Sequence, residues 1–268
     1  MMNDLKKHKD FSSYQAFLER ALNWKQQRLK TAKADPPSHG KTWYSYDTLS
    51  NLWHIEKLIA QTPKDIKHLC DIKHVADIGA ADGDLAYFLE SEDMKVDLID
   101  WPATNWNGLD GARALNDRLG SGRVQIHEVD LDSQFKLPSK HYDLIFFLGI
   151  LYHLKNPFYI METLAKHSKY CFLSTRIART TSDHNLELES APLAYLLHPQ
   201  ECNNDPTNYW IFSAPGLIRL VERAGWNIRA NYRVGDTKRS DPSSQEHDER
   251  MFLYLESRMQ SDNAPSVL

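Results

Sequence analysis

Val75-Ala-Asp-Ile-Gly-Ala-Ala-Asp-Gly-Asp84 is the stretch on which the reading of this chain turns. An apolar run ends at Asp77–Ile78, a turn carries Gly79 and Gly83, and helical spacing resumes near Asp84. The segment reads as a strand, a tight loop and a helix N-terminus. Glycines in such a loop permit positive φ and let a ligand approach the backbone. The helix start offers free N–H groups and partial positive charge. Asp77 stands just before the turn and Asp82 inside it. Two carboxylates there repel a diphosphate but suit a ligand with an ammonium and a sulfonium centre. No Gly-Lys-Ser/Thr follows, which excludes a P-loop.

Working outward, strands and helices alternate. Apolar runs at His74–Ile78, Val96–Asp100, Val124–Val129, Tyr142–Leu148 and Tyr170–Thr175 predict strands. Leu85–Glu90, Gly111–Leu119 and Phe158–Lys166 between them predict helices, as does Ala214–Ala224 later. That alternation specifies a parallel sheet covered by helices. Two last strands, Asn227–Val234 and Arg250–Glu256, suit an antiparallel edge. The predicted fold is α/β: a Rossmann-like, seven-stranded, mostly parallel sheet with an antiparallel edge strand and an N-terminal helical extension.

The expected domains are an extension over 1–46, a main domain over 47–258 with a substrate-side insertion at 180–212, and a flexible tail over 259–268. Residues 1–40 hold eight Lys/Arg against four Asp/Glu and end in a breaker run, Ala-Asp-Pro-Pro-Ser-His-Gly. Tyr14, Phe17, Leu18, Ala21 and Leu22 fall at helical spacing and predict an apolar stripe packed on the main domain. A second amphipathic helix is expected over Leu49–Ile59. The insertion has little periodicity and carries a turn signal at Asn204-Asp-Pro206, which predicts a mobile cover over an acceptor.

Acids recur at successive strand ends. Val96-Asp-Leu-Ile-Asp100 closes the second strand, where a carboxylate can accept from both ribose hydroxyls. Val129-Asp-Leu-Asp132 follows the third, where Asp130 and Leu131 are expected to meet an adenine.

Composition limits the class. Across 268 residues, 41% are hydrophobic and 25% charged, as in an ordinary globular protein. The net charge of −4 gives no general pull on nucleic acid. Residues 219–239, with six Lys/Arg against two acids, form a local basic stretch. No run approaches the ~20 apolar residues of a membrane span, and the basic start lacks the apolar stretch of a signal peptide. Cys70, Cys171 and Cys202 fit reduced thiols, hence a cytoplasmic protein. No His/Cys/Asp pattern for a metal is present.

Asp77-Ile-Gly-Ala-Ala-Asp-Gly83 resembles the first motif of class I S-adenosylmethionine (SAM)-dependent methyltransferases, D-x-G-x-G-x-G, with Ala81 in the place of the middle glycine. Phe147-Leu-Gly-Ile-Leu-Tyr-His-Leu-Lys-Asn-Pro157 is similar to the G-V-L-Y-H-x-x-x-P segment of the tRNA wobble-uridine carboxymethyltransferase family, whose members use carboxy-SAM. The resemblance covers about residues 70–258. It implies SAM held by Asp77, Gly79, Ala81, Gly83, Asp100, Trp101, Asp130, Leu131 and Gly149. Methyl transfer from a sulfonium needs the acceptor aligned and, for a hydroxyl or amine, a proton removed. His153 is the candidate base, with Tyr152 beside it. Arg176, His198, Tyr209 and Trp210 are candidate acceptor contacts, and Trp43 and Tyr44 candidate closures from the N-terminal side. Tyr152, Arg250 and Lys41 are the groups that an extra carboxylate on the donor would need.

The expected function is methyl transfer to an O, N or C nucleophile of a small molecule. The alternatives are a tRNA wobble-uridine enzyme using carboxy-SAM, for which the basic stretches speak, and a non-catalytic SAM-binding protein. A nicotinamide dehydrogenase is disfavoured by the acids in the turn.

Overall fold

The computed structural model describes residues 14–62, 69 and 71–260. Cys70, the basic start and the tail beyond Gln260 lie outside the described residues. The chain forms two compact units. The first comprises residues 1–130, 136–138 and 142–146, and the second comprises residues 131–135, 139–141 and 147–268.

In the first unit, helix α1 (14–32) contains one π-helical turn, Lys25–Leu29. Of the expected stripe, Leu18 and Ala21 are buried, and Leu29 and Ala32 extend the buried face along the helix. The Phe17 ring lies 5.1 Å from Phe88, and the Tyr14 hydroxyl donates to the Leu52 carbonyl at 3.1 Å. Leu22, counted in that stripe from its spacing, is 42% exposed instead. It sits one position past Ala21 and so rotates off the buried arc. Residues 14–46 fall in the same compact unit as the glycine turn. Helix α2 (Asn51–Ile59) buries Leu52, Ile55, Leu58 and Ile59 at i, i+3, i+6 and i+7.

Strand β1 (His74–Ile78) leads through the glycine turn into α3 (Asp84–Ser91). Strand β2 (Lys95–Asp100), helix α4 (Asp110–Leu119), strand β3 (Val124–Glu128) and strand β4 (Tyr142–Leu148) follow. Strand β2 pairs in parallel with β1 on one side and β3 on the other. The β1 interior, Val75, Ala76 and Ile78, is almost wholly buried. Burial on both faces is why these strands read as continuous apolar runs instead of alternating ones.

In the second unit, helix α5 (Pro157–His167) is capped by Asn156, whose side chain accepts from the Tyr159 amide, with Pro157 at the first helical position. Strand β5 (Ser168–Ile177) comes next. The insertion differs from the expectation of irregular structure. It contains two three-residue strands, β6 (Ala194–Leu196) and β7 (Trp210–Phe212), paired antiparallel, with β7 joined to β5 at Ile177. Leu188, Leu197, Cys202 and Ile211 pack with Ala178 into a small core of their own. Strands of three residues are too short to show an alternation, so periodicity gave no sign of them. Helix α6 (Ala214–Arg223) is capped by Ser213. Strand β9 (Glu249–Ser257) lies antiparallel to both β5 and β8 (Trp226–Gly235). The architecture is a mixed α/β, Rossmann-like fold: most strands are parallel, and β9 is the reversed long strand with β8 outside it.

One buried group links all four strands of the first unit. The Asp97 carboxylate, 2% exposed, accepts from the Tyr142 hydroxyl at 2.9 Å and lies 3.2 Å from Nε2 of both His74 and His127. Asp97→Ala removes the shared acceptor and is expected to destabilise the fold by about 2–3 kcal/mol. Urea denaturation measures this, and a loss under about 0.5 kcal/mol would show the cluster to be incidental.

Candidate active site

The turn after β1 depends on backbone geometry first. Gly79, Ala81 and Gly83 all have positive φ, at 71°, 55° and 85°. Gly79 donates to the Ile99 carbonyl at 2.9 Å, continuing the β1–β2 ladder. A Cβ at Gly83 would stand 2.7 Å from the Leu98 side chain, so only glycine fits there without a shift. Ala81 is the costly member, because a left-handed alanine is worse than glycine by roughly 1 kcal/mol. Its amide donates to Asp100 Oδ2 at 3.1 Å and its carbonyl accepts from Asn105 at 3.3 Å. Asn105 also donates to Asp100 Oδ2 at 3.1 Å, and the Trp101 amide donates to Oδ1 at 2.7 Å. Asp100 thus holds the turn of β1 from the tip of β2.

Asp77 is 3% exposed, and its Oδ2 has no hydrogen-bond partner among the described residues. Burial, with the charges of Asp100 and Asp84 close by, pushes this carboxyl up to about 8. Asp100 is raised as well, by burial, against the pull of its three N–H donors.

Asp82 plays a different part from the one expected of it. It is 1% exposed and fully engaged by protein. Lys33 Nζ lies 2.9 Å from Oδ2, the Tyr44 amide donates to Oδ2 at 2.9 Å, and Asn107 donates to Oδ1 at 2.8 Å. Lys33 also pairs with Asp84 Oδ1 at 2.7 Å. Burial raises Asp84 to about 6, with Lys33 opposing. The 33–46 segment is stitched down further: the Tyr44 hydroxyl accepts from the Trp106 amide at 2.8 Å, and the Trp106 indole donates to Thr42 at 3.1 Å. Tyr44 is therefore a strap over this turn, and Trp43 stacks with the Lys33 and Arg118 cations. Lys33, Asn105 and Asn107 are site residues that sequence reading missed. Their partners lie 49, 5 and 25 residues away, and only the Asn105-Trp-Asn107 pair after β2 offered a local sign. Trp101 is 36% exposed, and Asp130 is half-buried after β3.

The second unit holds the remaining candidates. Leu131 is buried. Gly149, at the carboxyl end of β4, has φ 77° and donates to the Ser174 carbonyl at 2.9 Å. The chain then makes one 3₁₀ turn, Leu151–His153. The rings of Tyr152 and His153 lie 4.2 Å apart. His153 Nδ1 is 2.9 Å from Thr207 Oγ1, and that hydroxyl donates to Asp205 Oδ1 at 2.7 Å. With its proton directed to Asp205, the threonine oxygen accepts from His153 Nδ1–H, which leaves Nε2 as the basic nitrogen. Burial lowers the imidazole from its ordinary value, and Asp205 opposes. Burial raises the Tyr152 phenol, against the pull of the adjacent Arg250 guanidinium.

Arg176 is placed otherwise than a substrate contact would be. It is 2% exposed, donates to the carbonyls of Asp241 and Ser244 and to Cys202 Sγ, and pairs with Asp248. A guanidinium so enclosed fastens the 241–248 loop. His198 is exposed and its amide donates to Glu201. Tyr209 stacks with the Lys155 ammonium, and Trp210 lines an apolar groove with Pro157, Phe158, Leu193 and Phe212. The structure does not gather these three with Tyr152 and His153 into one pocket wall; what joins them is that the Tyr209 amide donates to the Tyr152 carbonyl at 2.9 Å.

A family model described as a methyltransferase domain matches residues 8–231. The chain belongs to that family. Membership makes it a methyltransferase with SAM as donor. No curated protein matches the chain. Solved structures share its fold at low identity. The N-terminal domain of EvdMO1, crystallised in the presence of S-adenosylhomocysteine (SAH) and D-fucose, is 13% identical with a TM-score of 0.53, covering 87% of this chain and 95% of that one. The [4+2]-cyclase SpnF is 11% identical at 0.54, covering 91% and 96%. A SAM-dependent methyltransferase from Mesorhizobium loti is 12% identical at 0.51, covering 74% and 97%. The tRNA branch of the resemblance gains no support from these matches. Among the described residues, no helix is long and apolar enough to cross a membrane.

Asp77 sets a pH dependence. Between about pH 4 and 8 the folded, unliganded protein keeps a proton on Asp77 that the unfolded chain has released, so this group's contribution to stability falls as pH rises through that window. A cationic ligand needs the ionised form. SAH affinity is therefore expected to rise by up to about tenfold per unit from pH 6 toward 8 and then to level. Calorimetry across that range checks it, and Asp77→Asn should flatten the profile. A wild-type affinity independent of pH would mean that Asp77 does not face the ligand.

Proposed function

We propose that the protein moves a methyl group from SAM to an O, N or C nucleophile of a small-molecule acceptor. The observation that carries the donor side is Asp77 Oδ2, a buried carboxyl oxygen without a hydrogen-bond partner among the described residues, beside a turn that Gly83 keeps clear of any Cβ. A buried carboxyl that carries its proton in the empty fold and ionises beside a cation fits a positive group. The residues of the first unit suit SAM: Asp77 for its ammonium, Asp100 for the ribose hydroxyls, and Trp101 with Asp130 for the adenine; Leu131 and Gly149 are carried by the resemblance alone. Bound there, SAM supplies an electrophilic methyl on a positive sulfur.

What the chain itself must do is hold the acceptor and take its proton. His153 is the proposed base. Its Nδ1 is committed to Thr207, so the proton is taken at Nε2, and burial keeps the ring neutral and ready to accept near neutral pH. Tyr152 is the neighbouring hydroxyl, able to donate to or orient an acceptor oxygen. We place Tyr209 on the acceptor side through its amide bond to Tyr152, and the 180–212 segment as the element that carries it. EvdMO1 was crystallised with a sugar, which agrees with a small acceptor on a fold of this type.

Two experiments test the reading. SAH is expected to bind the full chain, and Asp100→Ala to weaken it by about 1–3 kcal/mol through lost charge-assisted hydrogen bonds and a loosened turn. No heat of binding at millimolar SAH, with the protein folded, would sink the donor assignment. For the base, ¹⁵N spectra should show neutral His153 protonated on Nδ1 at pH 7.5. Thr207→Val should shift the tautomer population, and an Nε2–H ring in the wild type would remove His153 from the role.

A further inference from the structure

Two connections meet where β5 ends: residues 178–187, which follow it, and 236–248, which join β8 to β9. The Arg179 and Thr180 amides both donate to the Ser240 carbonyl, at 2.9 and 3.2 Å, and so tie one connection to the other. Between them lies a cavity of about 320 Å³, lined by Thr180, His184, Glu187, Lys238, Arg239 and His247. It opens at the carboxyl end of β5, the end at which open α/β sheets take their ligands. Its lining includes neither Tyr152 nor His153.

Both walls are built before any ligand arrives. On one, the Thr181 amide donates to the Leu186 carbonyl at 3.0 Å, and Asp183 gathers the Thr181 hydroxyl and both the amide and the side chain of Asn185. His184 sits in this turn at φ 58°, a left-handed conformation uncommon outside glycine, with Nδ1 3.2 Å from Thr180 Oγ1. On the other wall, Asp236 accepts from the Lys238 and Arg239 amides at 3.0 Å each and from His247 Nδ1 at 2.7 Å. One carboxylate thus fixes the backbone beneath both cations and the orientation of the imidazole. The cations themselves are little used. Among the described residues Lys238 pairs with no carboxylate, and Arg239, 76% exposed, has Nε 3.8 Å from Asp236 Oδ2. Neither His184 nor His247 has a bonding partner at Nε2 there. Asp241, the next acid along the loop, is taken up by the Ser243 and Ser244 amides. Glu187 is the acid left on the cavity wall, without a paired cation among the described residues.

Two cations and two imidazoles lining one cavity match the oxygens of a phosphate. An anion at His247 Nε2 favours the protonated ring, whose other N–H Asp236 already holds. Glu187 repels a bare phosphate but accepts from a hydroxyl. We propose that this cavity binds a phosphate ester of a hydroxylated small molecule, with Lys238, Arg239 and the two imidazoles on the phosphate and Glu187 on a hydroxyl, and that this molecule is the methyl acceptor. Calling it the acceptor rests on the methyltransferase reading; the binding does not. A phosphate held here is remote from the reacting atom, and its binding energy goes into fixing the acceptor's approach.

The probe is glucose 6-phosphate, titrated at constant ionic strength into the ¹³C,¹⁵N-labelled full chain and followed at the His184 and His247 ring signals. Saturation is expected with a midpoint below about 10 mM, at least about threefold tighter than inorganic phosphate, and with no response to glucose. Lys238→Ala together with Arg239→Ala should weaken the ester by more than about tenfold. Both side chains are exposed and Asp236 is bonded to their backbone amides, so the double variant keeps its fold. Glu187→Ala should erase the advantage of the ester over inorganic phosphate. Linear, unsaturated shifts overturn the proposal, as does an unchanged midpoint in the folded double variant or equal binding of phosphate and its ester. The titration is then repeated with SAH at saturation. An undiminished response agrees with an acceptor bound beside the donor. Competition between the two puts the phosphate in the donor site and overturns the acceptor assignment. Failure of SAH to bind overturns the donor reading alone, since the first titration contains no donor.

Discussion

The Asp100 carboxylate is the tie on which the donor side depends. It joins the left-handed Ala81 amide, the Asn105 side chain and the Trp101 amide in one set of short contacts. Ala81 would otherwise relax out of a conformation that costs an L-residue roughly 1 kcal/mol. Asp77, Asp82, Asp84 and Asp100 are all buried close around this turn. Lys33 neutralises two of them, Asp82 and Asp84. The other two, Asp77 and Asp100, face burial without a cation. Asp77 meets that burial by keeping its proton up to about pH 8. Backbone strain like that of Ala81 persists where the surroundings over-determine it.

The turn after β1 was legible because its determinants are local. A strand end, two glycines and an acid at the next strand tip lie within 24 residues, from Asp77 to Asp100. The helices and strands of the alternating pattern appear within a few residues of where their spacing predicted them, His74–Ile78 and Tyr142–Leu148 without any shift. The misreadings of side-chain roles are long-range. Asp82 reads as a ligand for a cation, and it is one, but its cation is Lys33, from 49 residues upstream. Arg176 follows a strand tip like a substrate contact, and its partners come from a loop at 241–248 that has no pattern to announce it. No periodicity connects such pairs, because their approach is decided by packing of whole elements.

The two sides of the chemistry are built by different means. The turn after β1 is made of backbone: positive φ angles, amides bonded within the fold and a place where no Cβ fits. Such a site tolerates little change. The residues proposed for the acceptor are side chains on a 3₁₀ turn and an inserted segment, oriented by other side chains: His153 by Thr207 and Thr207 by Asp205. Chemistry on one fold varies most readily where groups of this second kind stand.

The base role proposed for His153 would give the inserted segment's own core a purpose. A base needs its tautomer fixed, and fixing it takes a hydroxyl held to within a few tenths of an ångström. Thr207 comes from the connection between β6 and β7. Leu197, Cys202 and Ile211, buried before and after it, anchor that connection. A loop without such anchors would leave the threonine free to turn and the imidazole free to choose either nitrogen. The segment's lack of periodicity therefore conceals an ordered purpose: short strands and a handful of buried side chains suffice to place one hydroxyl, and through it one proton.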